Sequence, residues 1–185
     1  DIYFLADQQE APLQIQALAV ETGRTIPGFG QVNYPSWEIL LSALQRQAKR
    51  GIILILDEFP YLVQKSPELP SIIQKLIDNQ QNKTNIIICG SSQRMMQGMV
   101  LDASAPLYGR AMEIIKVRPL EPGWIKEALP LNSIEAIEAY SVWGGVPRYW
   151  ELAKTYRNQE EACKELVLDR DGVLHDEPMR LLLDD

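Results

Sequence analysis

Residues 51 to 62, Gly-Ile-Ile-Leu-Ile-Leu-Asp-Glu-Phe-Pro-Tyr-Leu, join five unbroken apolar positions to two adjacent acids, Asp57 and Glu58. A run this short, with the β-branched Ile52, Ile53 and Ile55, fits a strand buried on both faces, as in a parallel sheet covered by helices. The acids then fall at the strand's carboxyl end, the edge where open α/β sheets bind ligands. There one carboxylate can hold a magnesium ion, directly or through water. The next can polarise a water beside a nucleotide's terminal phosphate. A strand that merely ends in solvated acids before a loop has the same sequence, so the rest of the chain must decide.

The chain is long enough for one domain, or one domain with a small appendage, and for a substantial core. No apolar run approaches a membrane span, which makes a soluble, cytoplasmic protein the expectation. Cys89 lies in an apolar run and Cys163 in a helical pattern, with no CxxC pair and a single His175, so neither a disulfide framework nor a zinc site is indicated. A formal net charge of −7 argues against a surface wrapped in nucleic acid. Nucleic acid would enter only through domains outside this segment. The chain opens at Asp1 with an immediate strand-like run and no Met or signal peptide, and it reads as a piece of a longer protein.

Strand patterns occur at Ile2 to Ala6, Ile52 to Leu56, Ile86 to Gly90 and Met112 to Val117. Helical patterns separate most of them. Pro12 to Thr22 is one, and Ser36 to Arg50 is another, with Ser36 as N-cap and Trp37, Leu40, Leu41, Leu44 and Ala48 on one face. Pro70 opens a third, carrying Ile72, Ile73, Leu76 and Ile77. The polar stretch Asp78 to Asn85 reads as a loop. This alternation predicts an α/β fold with a parallel, doubly wound sheet. After Pro119 only helices are predicted. One begins at a capping box, Asn132 with Glu135, and stops at Gly144-Gly145; another runs from Arg148 to about Arg157, and a third from about Glu160 to Leu168. The expected division is a core over 1–120 and a small helical subdomain over 121–185.

Three further groups bear on chemistry. Ser91 and Ser92 follow the third strand pattern, where a hydroxyl can reach a phosphate or attacking water, or simply cap a helix. Arg110, in Pro-Leu-Tyr-Gly-Arg, can stabilise charge on a transferring phosphoryl group or sit as a surface arginine beyond the Gly109 turn. The turn Gly144-Gly145-Val146-Pro147-Arg148-Tyr149 can press its proline against an adenine base. Gly and Pro equally serve such turns for conformational reasons.

Asp-Glu-Phe-Pro-Tyr-Leu at 57–62, Cys-Gly-Ser-Ser-Gln-Arg-Met-Met at 89–96, Pro-Leu-Tyr-Gly-Arg at 106–110, Gly-Gly-Val-Pro-Arg-Tyr at 144–149 and His-Asp-Glu-Pro at 175–178 recur in order over nearly the whole chain. Together they resemble the prokaryotic archaeal ATPase family of P-loop proteins, placed with the AAA+ and STAND signalling ATPases. The resemblance implies a three-layer P-loop fold with a helical lid, and magnesium-dependent binding and hydrolysis of ATP coupled to an unknown protein partner, with self-association open. It casts Asp57 as the metal-side acid of a Walker B motif, Glu58 as the catalytic acid and Ser91 or Ser92 as sensor 1. Arg110 matches a recurrent family arginine. Gly145, Pro147 and Arg148 become the lid element near the nucleotide.

The family's phosphate-binding loop, ending Gly-Lys-Ser/Thr, lies upstream of the strand that aligns with Ile2 to Ala6, and no such sequence occurs here. Gly28-Phe29-Gly30 is not that loop, since no Lys-Ser/Thr follows it. The family's first strand, central in its sheet, is expected to be absent with it, leaving the segment alone inactive. Two other readings stand beside this one. A receiver-type phosphoacceptor domain would use Asp57, Ser91 and Lys116, with Asp7 as the only further acid for magnesium. A non-hydrolysing scaffold would keep the fold without the phosphate loop.

Overall fold

The computed structural model describes residues 1–48, 51–79 and 84–184. They form two compact units, the first Asp1–Ile114 and the second beginning at Ile115. The first is α/β. Its strands β1 (Ile2–Leu5), β2 (Ile52–Asp57) and β3 (Thr84–Ile88) make a parallel sheet in the order β1-β2-β3, so the strand carrying the acid pair is central. The register sets Ile2 beside Leu54 and Leu54 beside Ile86, and Phe4 beside Leu56 and Leu56 beside Ile88. These residues share one face, because side chains alternate along a strand.

On that face the helices α1 (Ala11–Thr25), α2 (Trp37–Gln47), α3 (Phe59–Lys65) and α4 (Leu69–Asp78) contribute Ile15, Leu18, Leu40, Leu41, Leu44, Phe59, Leu62, Leu69 and Ile73 to one buried cluster. The helix starts are legible in their caps. The Ser36 Oγ accepts from the Ile39 N–H at 3.3 Å, and Pro70 sits in the first turn of α4, where its missing N–H costs nothing. Trp37, buried among these helices, satisfies its indole N–H on the Ser66 Oγ at 2.7 Å.

The opposite face differs from the expected three-layer arrangement. Tyr3, Leu5 and Ile87 are exposed there and Ile53 and Ile55 half-buried, so among the described residues this sheet has helices on one side only. The run Met112 to Val117 is a second correction. Its composition suits a strand, but a strand exists only by pairing its backbone, and no described residue pairs with it. It has no regular secondary structure, with Met112 at 103% and Val117 at 88% exposure. The expected loop Asp78 to Asn85 is shorter than predicted: Asp78 ends α4, Thr84 and Asn85 open β3, and residues 80–83 lie outside the described residues. The expected helix to Arg50 ends at Gln47; Lys49 and Arg50 lie outside the described residues. A short helix α5 (Gln93–Met96) follows β3 and widens into a π-helical turn over Gln97–Leu101.

The second unit is helical: α6 (Pro122–Ala128), α7 (Ser133–Trp143), α8 (Pro147–Ala153), α9 (Gln159–Cys163), widened over Lys164–Leu168, and α10 (Glu177–Asp184). It has its own core of Ile125, Leu129, Ala139, Trp143, Trp150, Ala162 and Leu166. The capping box read at α7 is present. Asn132 Oδ1 accepts the N–H groups of Ile134 and Glu135 at 2.9 and 3.1 Å, and Glu135 Oε2 accepts the Asn132 N–H at 2.8 Å.

Candidate functional site

Asp57 is the last residue of β2 and α3 begins at Phe59, so Glu58 alone turns the chain from strand to helix. The helix side of the turn is tied down. The Phe59 N–H donates to the Cys89 carbonyl at 2.9 Å and its ring is fully buried, while the Tyr61 N–H returns to the Glu58 carbonyl at 2.9 Å. Glu58 absorbs the reversal with φ 50° and ψ 42°, and among the described residues it is the only non-glycine with positive φ. Such a conformation costs about 1–2 kcal/mol in a residue with a Cβ and is held only when the surroundings over-determine it.

The acids point to different partners. Asp57 Oδ1 accepts the Glu58 N–H at 2.9 Å, and Oδ2 accepts the Tyr3 hydroxyl at 2.7 Å from the neighbouring strand. Glu58 Oε2 accepts the Ser91 hydroxyl at 3.1 Å and the Ser91 N–H at 3.4 Å. Ser91 follows β3, brought alongside because the Cys89 N–H continues the ladder onto the Leu56 carbonyl at 2.9 Å. Ser92 does the other job open to a serine here: its Oγ accepts the Met95 N–H at 3.4 Å, inside the turn that starts α5. Gly90 is small for a packing reason, since a Cβ there would lie 2.8 Å from Pro60 Cδ and 2.9 Å from Met96 Sδ.

Charge collects at this edge. Burial, then the carboxylates of Asp57 and Glu58, push the Cys89 thiol above its ordinary pKa, so it stays protonated. The hydrogen bond to Asp57 is the main cause that raises the Tyr3 phenol. A half-buried Asp57 with a lone pair left on each oxygen suits one inner contact to a hard cation. Among the described residues no group of three or more acid, His or Cys side chains forms a cage. That donor set fits magnesium, which keeps waters and substrate phosphates in most of its sphere. No Gly-Lys-Ser/Thr is present to cradle a triphosphate.

Arg110 is elsewhere. Its Nε and Nη2 donate to the two Asp78 oxygens at 2.9 Å each, and its Nη1 donates to the carbonyls of Pro106 at 3.0 Å and Tyr108 at 3.3 Å. Asp78 ends α4, the helix that leads into the amino end of β3, whereas Glu58 and Ser91 follow the carboxyl ends of their strands. The structure therefore does not bring Arg110 to the acid pair. The bidentate bond holds the Asp78 carboxyl below its usual pKa and raises that of the guanidinium.

In the second unit the Gly-Gly-Val-Pro turn is fixed by its own backbone. Gly144 has φ 57° and ψ −154°, a region closed to residues with a Cβ. Its carbonyl accepts the Trp150 indole N–H at 2.8 Å. The Gly145 carbonyl accepts the Leu120 N–H at 2.8 Å, and a Cβ on Gly145 would lie 2.1 Å from the Leu120 oxygen. Pro147 opens α8 and, with Trp124, Leu129, Trp150 and Lys154, lines a cavity of about 470 Å³. Arg148 pairs with Glu151 at 3.2 Å on the exposed face of α8.

Sequence reasoning missed Tyr3. Its signal is a register: Leu5 lies beside Asp57, which places Tyr3 two residues back on the same face, and that is readable only once the strands are paired. The receiver-type reading gains nothing here. The Asp7 carboxylate is turned to Gln9, accepting its N–H at 2.9 Å and its amide at 2.6 Å.

Residues 8–153 match the ATPase domain described as predominantly from Archaea. An uncharacterized protein of Methanocaldococcus jannaschii is 33% identical over 157 residues, which cover 83% of this chain and 34% of that protein. The chain thus spans about a third of that relative's length. With the match running from just after β1 through α8, the chain belongs to the family of ATPase domains found predominantly in Archaea.

Proposed function

We propose that this chain carries the hydrolytic edge of a magnesium-dependent P-loop ATPase of the AAA+ and STAND type, with the helices after residue 120 acting as its lid. The observation that carries the reading is the Asp57-Glu58 pair at the carboxyl end of the central strand, with Ser91 from the next strand bonded to Glu58. Asp57 would hold the metal, which when bound neutralises charge on the phosphates. Glu58 orients and polarises the attacking water and takes its proton. Ser91, rather than Ser92, is the sensor, since it alone of the two serines touches Glu58. Gly145 shapes the lid turn, and Pro147 and Arg148 present its surface. A phosphate role for Arg110 would require release from Asp78. The phosphate cradle, the protein partner whose state is coupled to turnover, self-association and a cytoplasmic location belong to the whole protein. Among the described residues no helix is long and apolar enough to cross a membrane.

The test is Glu58→Gln in the whole protein. The amide keeps the shape but cannot accept the proton, so nucleotide affinity should hold while phosphate release falls by about 10²-fold or more. Near-normal release would remove Glu58 from the chemistry.

A further inference from the structure

We propose that Tyr3 is a positioning residue for Asp57, fixing the direction in which that carboxylate meets the metal; the inference rests on the metal role read for Asp57 above. Parallel pairing sets Tyr3 beside Ile55 and Leu5 beside Asp57, so Tyr3 and Asp57 lie on one face, two residues apart along the sheet. A phenol has the length to bridge that step, and its hydroxyl meets Oδ2 at 2.7 Å, the short distance of a bond to a charged acceptor. Phenylalanine in the same rotamer would fill the same half-exposed place without it.

The second contact makes the first matter. Oδ1 is already held by the Glu58 N–H at 2.9 Å, from Asp57's own end of the strand. Bonds to the two oxygens, one from the Tyr3 side chain on β1 and one from the Glu58 backbone just after β2, leave the carboxylate little freedom about either side-chain torsion. With the phenol removed, only the local amide remains and the group can swing about it. Ligating carboxylates are commonly held in this way by outer hydrogen bonds, whose loss costs about 10- to 100-fold in metal affinity or activity. A purely structural role, tying β1 to β2, would show in unfolding and not in the metal.

The deciding experiment uses the whole protein with manganese as the paramagnetic probe and a non-hydrolysable ATP analogue, followed by electron paramagnetic resonance. Tyr3→Phe should weaken manganese binding about tenfold, the lower end of that range, with little change in melting temperature. Asp57→Asn, run beside it, should weaken binding further. If Asp57→Asn weakens the metal and Tyr3→Phe does not, the positioning role is overturned and the metal reading stands. If Asp57→Asn leaves manganese binding unchanged, the metal reading falls and the proposal falls with it. A Tyr3→Phe protein that melts lower while binding manganese normally would make Tyr3 a strand tie only.

Discussion

Glu58 combines two properties that the sequence shows only in part. The acid pair after five apolar residues is legible, because a buried strand ending in carboxylates has a recognisable composition. The left-handed backbone is not legible, because it arises from the single-residue connection between β2 and α3 and from the anchoring of Phe59 on Cys89. The division of labour between the serines escapes the sequence for a similar reason: either can cap, and only the ladder from Leu56 to Cys89 decides which one meets Glu58. Backbone strain at this residue is separable from its chemistry. Glu58→Ala and Glu58→Gly both delete the carboxylate, but glycine enters the left-handed region freely. The glycine variant should therefore be more stable than the alanine variant by about 1 kcal/mol in denaturant unfolding, although glycine ordinarily loses such comparisons. Equal midpoints would mean that the turn relaxes without strain.

Among the elements, helices were the easier to read. Ser36, Pro70 and the Asn132-Glu135 box act on their own first turns, so local sequence states them. Met112 to Val117 has the composition of a strand and is none, since pairing depends on a partner that its own residues do not specify. The partner of Arg110 was illegible for the same reason: its carboxylate lies 32 residues back, at the end of α4. The turn between α7 and α8 can be tested directly. A methyl group on Gly145 would meet backbone at Leu120, and no flexible side chain stands there to give way. Gly145→Ala should lower the stability of the second unit by about 3 kcal/mol, the upper range for forced overpacking, read from the fluorescence of Trp143 and Trp150 on denaturation. An alanine protein that unfolds like the parent would show that the close approach of Gly145 to Leu120 is not needed.

At the scale of the whole chain, composition announced a protein able to build a core, and two separate cores are present, one for each unit. What composition cannot announce is which face of a sheet remains bare. Tyr3, Leu5 and Ile87 read as ordinary interior residues of a parallel strand, yet they meet water on the side opposite the helices. Parallel sheets are covered on both faces almost without exception, whereas among the described residues this one is covered on one side only. The consequence is calorimetric. Heat capacity on unfolding rises with the apolar surface newly exposed, and a face already wet in the folded state adds nothing to it. The 185-residue chain should therefore unfold with a heat-capacity increment below the usual figure of about 12–15 cal/mol/K per residue. Differential scanning calorimetry at several pH values would measure it. A value at or above that range would mean that the bare face finds cover in solution, and the missing increment is a measure of the apolar surface that folding leaves in water.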